Sequence, residues 1–100
     1  MSEVYQGDIL RIENVKVPVL VVSKDIFNKT GEILGCPIYK TGSVGALRIE
    51  ISGEPVTGYV HCEKIALFDL DVRGYSKLDS ISMVDRIVIS DVIQSLFEYV

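Results

Sequence analysis

The side chains best suited to chemistry are concentrated in a short loop, Tyr39–Gly45, which carries two glycines, three hydroxyl groups and Lys40. Glycine gives a loop conformational freedom, so Lys40 and Thr41 could reach into a neighbouring groove. Tyr39 and Ser43 supply the other two hydroxyl groups. The pattern predicts a polar loop that binds a ligand, and an exposed loop end without a ligand is the alternative.

Two other sets of residues could take part in acid–base chemistry. His61 is the only histidine, and imidazole is the one side chain whose ordinary pKa lies near neutrality. A lone histidine in a strand is more often a surface or hydrogen-bonded residue than a base, so we do not expect His61 to be catalytic. Asp69, Asp71 and Arg73 are close together in the sequence. A solvated turn is the simpler interpretation of this set, and an ion-paired acid and base is the alternative.

Several kinds of site are not supported by the sequence. The segment 42–45, GSVG, precedes a predicted strand and lacks the helix N-terminus of a phosphate-binding loop. Cys36 and Cys62 are too few for a zinc motif or a disulfide framework, and we expect two buried, reduced thiols. We therefore expect neither a metal ion nor another cofactor.

The composition is typical of one globular domain, spanning residues 1–100. The formal net charge of −4 argues against a large, non-specific nucleic-acid surface, although one groove could still be basic. No apolar run approaches the roughly 18 residues that a membrane-spanning helix needs. The N-terminal residues lack the basic and apolar segments of a secretion signal, so we expect a cytoplasmic protein without membrane contacts.

Two apolar segments are expected to form the centre of a small sheet. The run Val19–Val22 is apolar without alternation, which is typical of a strand covered on both faces. The run Ile33–Ile38 is its expected neighbour, and the intervening segment Ser23–Glu32 is predicted to be a polar connection. Pro18 has no amide hydrogen and is expected at the start of the first strand.

The rest of the chain adds edge strands and a final helix. The other predicted strands are Ile9–Glu13, Ala46–Ile51, Thr57–Phe68 with a bulge or kink near Glu63, and Tyr75–Ser80, which could also be irregular. From Val84 the apolar residues recur at offsets of three and four, which predicts an amphipathic helix packed on the sheet, with Ser82 as its N-cap. The members of this stripe are Val84, Ile87, Val88, Val92, Ile93, Leu96, Phe97 and Val100. Short strands followed by a C-terminal helix predict a mainly β, half-open barrel.

Fragments with a characteristic order and spacing run through the chain. They are Gly7-Asp8-Ile9, Pro18–Ser23, Asp25–Asn28, Cys36-Pro37-Ile38, Arg48–Ile51, Gly58–Ile65 and Lys77-Leu78 before the final helix. This series resembles the MazF/PemK/Kid family of bacterial toxins over nearly the whole chain. The resemblance implies an SH3-like half-open barrel, which that family shares with the CcdB gyrase poisons.

The resemblance also implies a toxin of a type II toxin–antitoxin system. Such a toxin would form a homodimer, be inhibited by a cognate antitoxin peptide and cleave single-stranded RNA without a metal ion. Cleavage through the RNA's own 2′-OH needs a base, an acid and a cation that stabilises the phosphorane. The family has an Arg before the central Pro, a Thr or Ser after Pro-Ile and, in some members, a later Arg and Asp. Here Val17 stands at the position of the Arg before the central Pro, and Tyr39 stands at the position of the Thr or Ser. Ala66 stands at the position of the later Arg, whereas Asp69 matches the acidic position.

We therefore predict a rearranged site. The candidate catalytic residues are Tyr39, Lys40 and Asp69, and the candidate RNA-binding residues are Lys16, Thr41, Ser43 and Arg73. Tyr39 keeps a hydroxyl group, and its ring could alternatively stack on an RNA base. Two other hypotheses stay open. One is a protein of the toxin fold without ribonuclease activity that acts by binding a protein, as gyrase poisons do. The other is a structural or regulatory protein whose main partner is itself or an antitoxin-like peptide.

Overall fold

The computed structural model describes residues 3–52 and 56–97, and this part of the chain forms seven strands and two helices. In chain order the elements are β1 (Asp8–Ile12), β2 (Val19–Val21), α1 (Asp25–Asn28), β3 (Glu32–Tyr39), β4 (Arg48–Ser52), β5 (Thr57–His61), β6 (Ala66–Asp69), β7 (Tyr75–Ser80) and α2 (Met83–Ser95). The predicted mainly β fold with a C-terminal helix is confirmed.

Strand β3 is the centre of the sheet. The strand order is β4-β5-β3-β2-β1-β7, and the paired strands are antiparallel. Strand β6 also pairs with β3, so that β3 contacts β2 along one edge and β6 and then β5 along the other. The last residues of β3 therefore lie next to the β4–β5 hairpin.

The predicted central pair is confirmed as β2 and β3. Leu20 pairs with Cys36, and Val21 pairs with Gly35. All three residues of β2 are buried, because a hydrophobic cluster covers each face of the strand. Successive residues of a strand point to opposite faces, so Leu20 belongs to one cluster while Val19 and Val21 belong to the other.

The two cysteines lie in the core that includes Leu20. Cys36 and Cys62 are both buried and free, as the sequence predicts. Burial raises the pKa of the Cys36 thiol to about 12 and that of the Cys62 thiol to about 11. Since the thiolate is the reactive form of cysteine, these residues act as small apolar side chains in the packing.

The prediction of one continuous strand over Thr57–Phe68 is wrong, because the segment forms two strands. The bulge or kink expected near Glu63 is large enough to divide it into β5 and β6, and the pairing register with β3 differs by three residues between the two. The backbone N–H of Lys64 donates to the carbonyl of His61 over 3.1 Å, which closes a turn at the end of β5. The extra residues form this turn beside the end of β3.

The predicted polar connection between the central strands contains a short helix. In α1 the N–H groups of Phe27 and Asn28 both donate to the carbonyl of Lys24 over 3.0 Å. Asn28 is buried, and its side-chain amide donates to the carbonyl of Ser23 over 3.1 Å. A buried amide with its hydrogen bonds satisfied holds this connection against the sheet.

The final helix has the predicted start but presents a different face to the sheet. The Ser82 hydroxyl accepts a hydrogen bond from the N–H of Asp85 over 3.1 Å, which confirms the N-cap. Ile89, which is outside the predicted stripe, is the buried residue of α2, and Val92 and Ile93 pack beside it on the core. The other described members of the stripe, Val84, Ile87, Val88, Leu96 and Phe97, are exposed, and Val100 lies outside the described residues. Apolar residues surround most of α2, so periodicity alone could not identify the packed face.

In residues 3–52 and 56–97, no helix is both long and apolar enough to cross a membrane.

Candidate active site

Tyr39, at the end of β3, lies on the outer face of the sheet. Its cross-strand partner is Tyr59 of β5, and the next pair along the β4–β5 hairpin joins Arg48 to His61. Residues paired in this way share a face. Ile38 and Val60 alternate with these residues and belong to the core. Glu50, the β4 partner of Tyr59, lies on the same face. The sheet therefore presents aromatic rings and charges of both signs to solvent at this point.

Three side chains of this surface lie close together. The ring of His61 is centred 4.5 Å from the ring of Tyr39 and tilted by 57° to it. The ammonium group of Lys64 lies 5.0 Å from the centre of the Tyr39 ring, within the range of a cation–π interaction. Tyr39 is half-buried, whereas His61 is only 9% exposed. The two rings form a fixed platform with a positive charge beside it.

A carboxylate completes the arrangement. Glu63 Oε2 accepts hydrogen bonds from Nε and Nη2 of Arg48 over 3.2 and 3.0 Å. The same oxygen lies 4.0 Å from Nδ1 of His61, which is too long for a hydrogen bond. His61 Nδ1 is buried and has no hydrogen-bond partner among the described residues. We call Tyr39, Arg48, His61, Glu63 and Lys64 the Tyr39 cluster.

The environment determines the charge of this cluster near neutral pH. Burial lowers the pKa of His61, the positive charges of Arg48 and Lys64 lower it further, and only Glu63 acts in the opposite direction. The pKa of Glu63 is lowered by a hydrogen bond from its own backbone and by Arg48, although burial opposes both. At pH 7 His61 is therefore a neutral imidazole and Glu63 is a carboxylate.

Several predicted residues surround the Tyr39 cluster. Lys40, Thr41 and Ser43 are exposed in the loop that follows Tyr39, and Lys16 is exposed before β2. The N–H of Ile38 donates to the carbonyl of Pro18 over 2.9 Å. The chain before this contact leaves the ladder, because residues 16 and 17 form a bend.

Asp69 and Arg73 do not lie in the Tyr39 cluster. Asp69 pairs with Glu32 at the start of β3, about 20 Å along the strand from Tyr39. The Arg73 guanidinium points to the carbonyl of Glu13, with its Nη1 at 3.5 Å. The predicted combination of Tyr39, Lys40 and Asp69 in one site is therefore not formed within one copy of the chain. The reason is the antiparallel pairing of β6, which carries Asp69 away from the end of β3.

Sequence reasoning missed Arg48 and Glu63 and dismissed His61. The available signal was the β4–β5 hairpin. Arg48 and Glu50 occupy the polar positions of an alternating strand, and a hairpin that pairs Ser52 with Thr57 necessarily pairs Arg48 with His61.

In the described part of the chain, no group of three or more His, Cys, Asp or Glu side chains is arranged to hold a metal ion.

A second feature is an apolar groove on another part of the molecule. A cavity of about 390 Å³ lies between β2, α1 and α2, and its apolar lining includes Val22, Phe27, Leu34 and Ile93. Arg86 also lines it, and the Nε of Arg86 is buried without a partner among the described residues. A carboxylate bound in this groove would satisfy that group.

Solved structures with similar folds cover almost the whole chain. A MazE–MazF structure from Deinococcus radiodurans is 18% identical, with a TM-score of 0.86 over 96% of this chain and 97% of that chain. An endoribonuclease from a mycobacterial species is 21% identical, with a TM-score of 0.82 over 95% and 91% of the two chains. A mycobacterial endoribonuclease in complex with its cognate antitoxin is 18% identical, with a TM-score of 0.83 over 97% and 99%.

These likenesses show the fold, and a family model identifies the protein more closely. No curated protein matches the chain significantly. The family model described as the PemK-like, MazF-like toxin of type II toxin–antitoxin systems matches residues 6–97, which include every residue of the Tyr39 cluster. The chain therefore belongs to the PemK-like, MazF-like toxins of type II toxin–antitoxin systems.

Proposed function

We propose that this toxin cleaves single-stranded RNA in the cytoplasm, through the RNA's own 2′-OH and without a metal ion. The observation that carries the proposal is the platform formed by Tyr39 and His61, with the Lys64 ammonium 5.0 Å from the Tyr39 ring. Unpaired RNA bases stack on such aromatic surfaces, whereas the bases of a duplex are already stacked on one another. The platform therefore favours single-stranded RNA as the substrate.

The positive charges near the platform support binding of the phosphate groups of an RNA backbone. Lys40 is exposed directly after Tyr39 in the chain, and the Lys64 ammonium lies over the Tyr39 ring. Arg48 is neutralised by Glu63 and contributes less to the local potential. The formal net charge of the whole chain is −4, so attraction to RNA is local and confined to this face. Binding of this kind weakens as salt is added.

The second part of the proposal concerns an antitoxin partner. Two of the similar structures are complexes with an antitoxin, and we extend that kind of partner to this chain. The apolar groove with its unpaired Arg86 Nε supports a peptide that inserts apolar side chains and one carboxylate. Such a peptide would cover the apolar lining of the groove and give Arg86 Nε a hydrogen-bond partner at the same time.

The third part is a homodimer formed through the exposed side of α2. Met83, Val84, Ile87 and Val88 lie on this helix and are 41 to 69% exposed. Contiguous apolar surface of this kind is typical of a protein interface. We expect wild-type protein to sediment as a dimer at micromolar concentration and the Ile87→Asp variant to sediment as a monomer with unchanged circular dichroism.

A matched control separates this interface from general surface hydrophobicity. Val72 is 78% exposed but lies outside α2, so the Val72→Asp variant should remain a dimer. A wild-type monomer, or an Ile87→Asp protein that still dimerises, would rule out this interface.

The RNA-cleaving function is tested by inducible expression in a bacterial host. The expected result is growth arrest with fragmented cellular RNA, and the arrest should weaken in a Tyr39→Ala variant that accumulates to the same level. Growth arrest with intact RNA would overturn the proposed cleavage in favour of a toxin that acts by binding a protein. Normal growth with intact RNA would instead support a structural or regulatory protein.

A further inference from the structure

The unusual residue of the Tyr39 cluster is His61. It is the only histidine of the chain and lies almost buried at the edge of a solvent-facing surface. One of its ring nitrogens, Nδ1, has no hydrogen-bond partner in the described structure. Leaving a buried polar atom unpaired costs free energy, and a polar group of this kind often has a functional role.

The neighbours of His61 give its ring a definite orientation. Glu63 is held by two hydrogen bonds from Arg48 and faces the Nδ1 edge of the ring at 4.0 Å. The Tyr39 ring covers one side of the imidazole. With Nδ1 facing Glu63, Nε2 on the opposite side of the ring is the nitrogen left to act on a substrate. The negative charge of Glu63 favours, by electrostatic attraction and without a hydrogen bond, the tautomer with its proton on Nδ1, which leaves a lone pair on Nε2.

We propose that His61 is the general base of this site, that the Tyr39 hydroxyl is the general acid, and that Glu63 and Arg48 position His61. The proposal rests on the proposed RNA-cleaving function and assigns its proton transfers. It replaces the expectation that a lone histidine in a strand has no catalytic role. The two Arg positions of the family hold Val17 and Ala66 here, and its Thr position holds Tyr39, so neither of those guanidinium groups is available to this site.

The reaction balances with these groups alone. Nε2 of His61 takes the proton of the RNA 2′-OH while the 2′-oxygen forms a bond to phosphorus. The bond between phosphorus and the 5′-oxygen breaks, and Tyr39 gives its hydroxyl proton to that oxygen. The products are a 2′,3′-cyclic phosphate and a free 5′-OH. The proton on His61 then returns to Tyr39 through solvent.

The charges around His61 agree with the role of a base. The groups that share its face are Tyr39 from β3, Arg48 and Glu50 from β4, Tyr59 from its own strand, and Glu63 and Lys64 from the turn. Burial and the two cations keep the pKa of His61 below its ordinary value. The base form is therefore present at pH 7, and the acidic fall in activity should be centred below the ordinary pKa of histidine.

The test is cleavage of a defined single-stranded RNA by purified protein in EDTA. A general base contributes about 10²- to 10⁴-fold to the rate, so His61→Ala should lose at least about 100-fold in kcat. Added imidazole should restore part of the rate to His61→Ala, because a free base can occupy the vacated space. It should restore nothing to Tyr39→Phe, which keeps its imidazole and lacks the acid.

Two further readouts separate this assignment from a structural role of His61. In a profile of kcat against pH, the rate of the Glu63→Gln variant should begin to fall at a lower pH than that of wild type. The reason is that Glu63 is the group that raises the pKa of His61. His61→Ala should still bind a 2′-O-methyl analogue of the RNA, which cannot be cleaved, and its loss of affinity from removing one ring of the platform should be smaller than its loss in kcat. If wild type cleaves but His61→Ala retains its rate and pH profile, the assignment of His61 is overturned and the RNA-cleaving function stands. If wild type binds the RNA without cleaving it, the proposed function fails, and the assignment fails with it.

Discussion

Replacing Gly58 with alanine is expected to destabilise the protein by roughly 2–4 kcal/mol. Gly58 has a φ of +151°, a conformation that side chains bearing a Cβ rarely adopt. A Cβ at this position would lie 2.5 Å from the carbonyl oxygen of Tyr39 and 3.0 Å from the side chain of Ile38. Both the backbone strain and the collision act on the end of β3. Thermal unfolding should therefore occur at least about 10 °C lower than in wild type.

Gly45 provides the matched control for this substitution. A Cβ on Gly45 would meet nothing within 4 Å, so the Gly45→Ala variant should unfold within about 0.5 kcal/mol of wild type. Denaturant titration of both variants measures the difference directly. A Gly58→Ala protein as stable as Gly45→Ala would show that β3 and β5 do not approach each other this closely. The position of Tyr39 in the sheet would then need revision.

Replacing Tyr39 with alanine is expected to weaken binding of single-stranded RNA by about 5- to 150-fold. Stacking of one base on an aromatic side chain is worth about 1–3 kcal/mol, and Tyr39 also lies against His61 and Lys64. Tyr39→Phe keeps the ring and should bind within about twofold of wild type, while it loses the hydroxyl group that we propose as the general acid. Fluorescence anisotropy with a labelled 2′-O-methyl RNA measures binding without cleavage.

Tyr5 is a suitable control for the loss of a surface tyrosine. It is 45% exposed, and Lys77 lies 5.4 Å from the centre of its ring, so its environment resembles that of Tyr39. Tyr5 is nevertheless outside the Tyr39 cluster, and Tyr5→Ala should leave RNA affinity unchanged. Equal affinity of the Tyr39→Ala and wild-type proteins would exclude Tyr39 as the stacking surface.

The centre of the fold was predictable because its signal is local. The uninterrupted apolar run of β2 predicts a strand covered on both faces, and two hydrophobic clusters cover it. Ser82 as an N-cap is likewise a property of a few neighbouring residues, and it is confirmed. Patterns of this kind depend on the hydrogen bonds and burial of one element.

Features that depend on the pairing of distant elements were harder to predict. The division of Thr57–Phe68 follows from the different halves of β3 that β5 and β6 contact, and no property of the segment itself determines that register. The packed face of α2 depends on which side the sheet approaches. Ile89 is buried although it falls outside the predicted stripe, whereas Ile87 is exposed.

The candidate site shows the same limit. Tyr39 and Lys40 were predicted as site residues from their loop and from the resemblance to a known family, and the structure places Tyr39 half-buried at the end of β3 and Lys40 exposed after it. The grouping of Asp69 with them is not formed, because proximity across a sheet depends on register and not on residue type. His61 became a candidate only through its contacts with Arg48 and Glu63. The β4–β5 hairpin brings Arg48 beside it, and the following turn brings Glu63 beside it.

The most direct test of RNA cleavage without a metal uses one long single-stranded RNA, purified protein and an excess of EDTA. The expected result is cleavage at defined positions, with a 2′,3′-cyclic phosphate on one product and a 5′-OH on the other. A single 2′-deoxy nucleotide on the 5′ side of a mapped cut should abolish that cut and leave the others. Cleavage that persists at the deoxy position, or RNA that stays intact while bound to the protein, would contradict attack by the 2′-OH in this site.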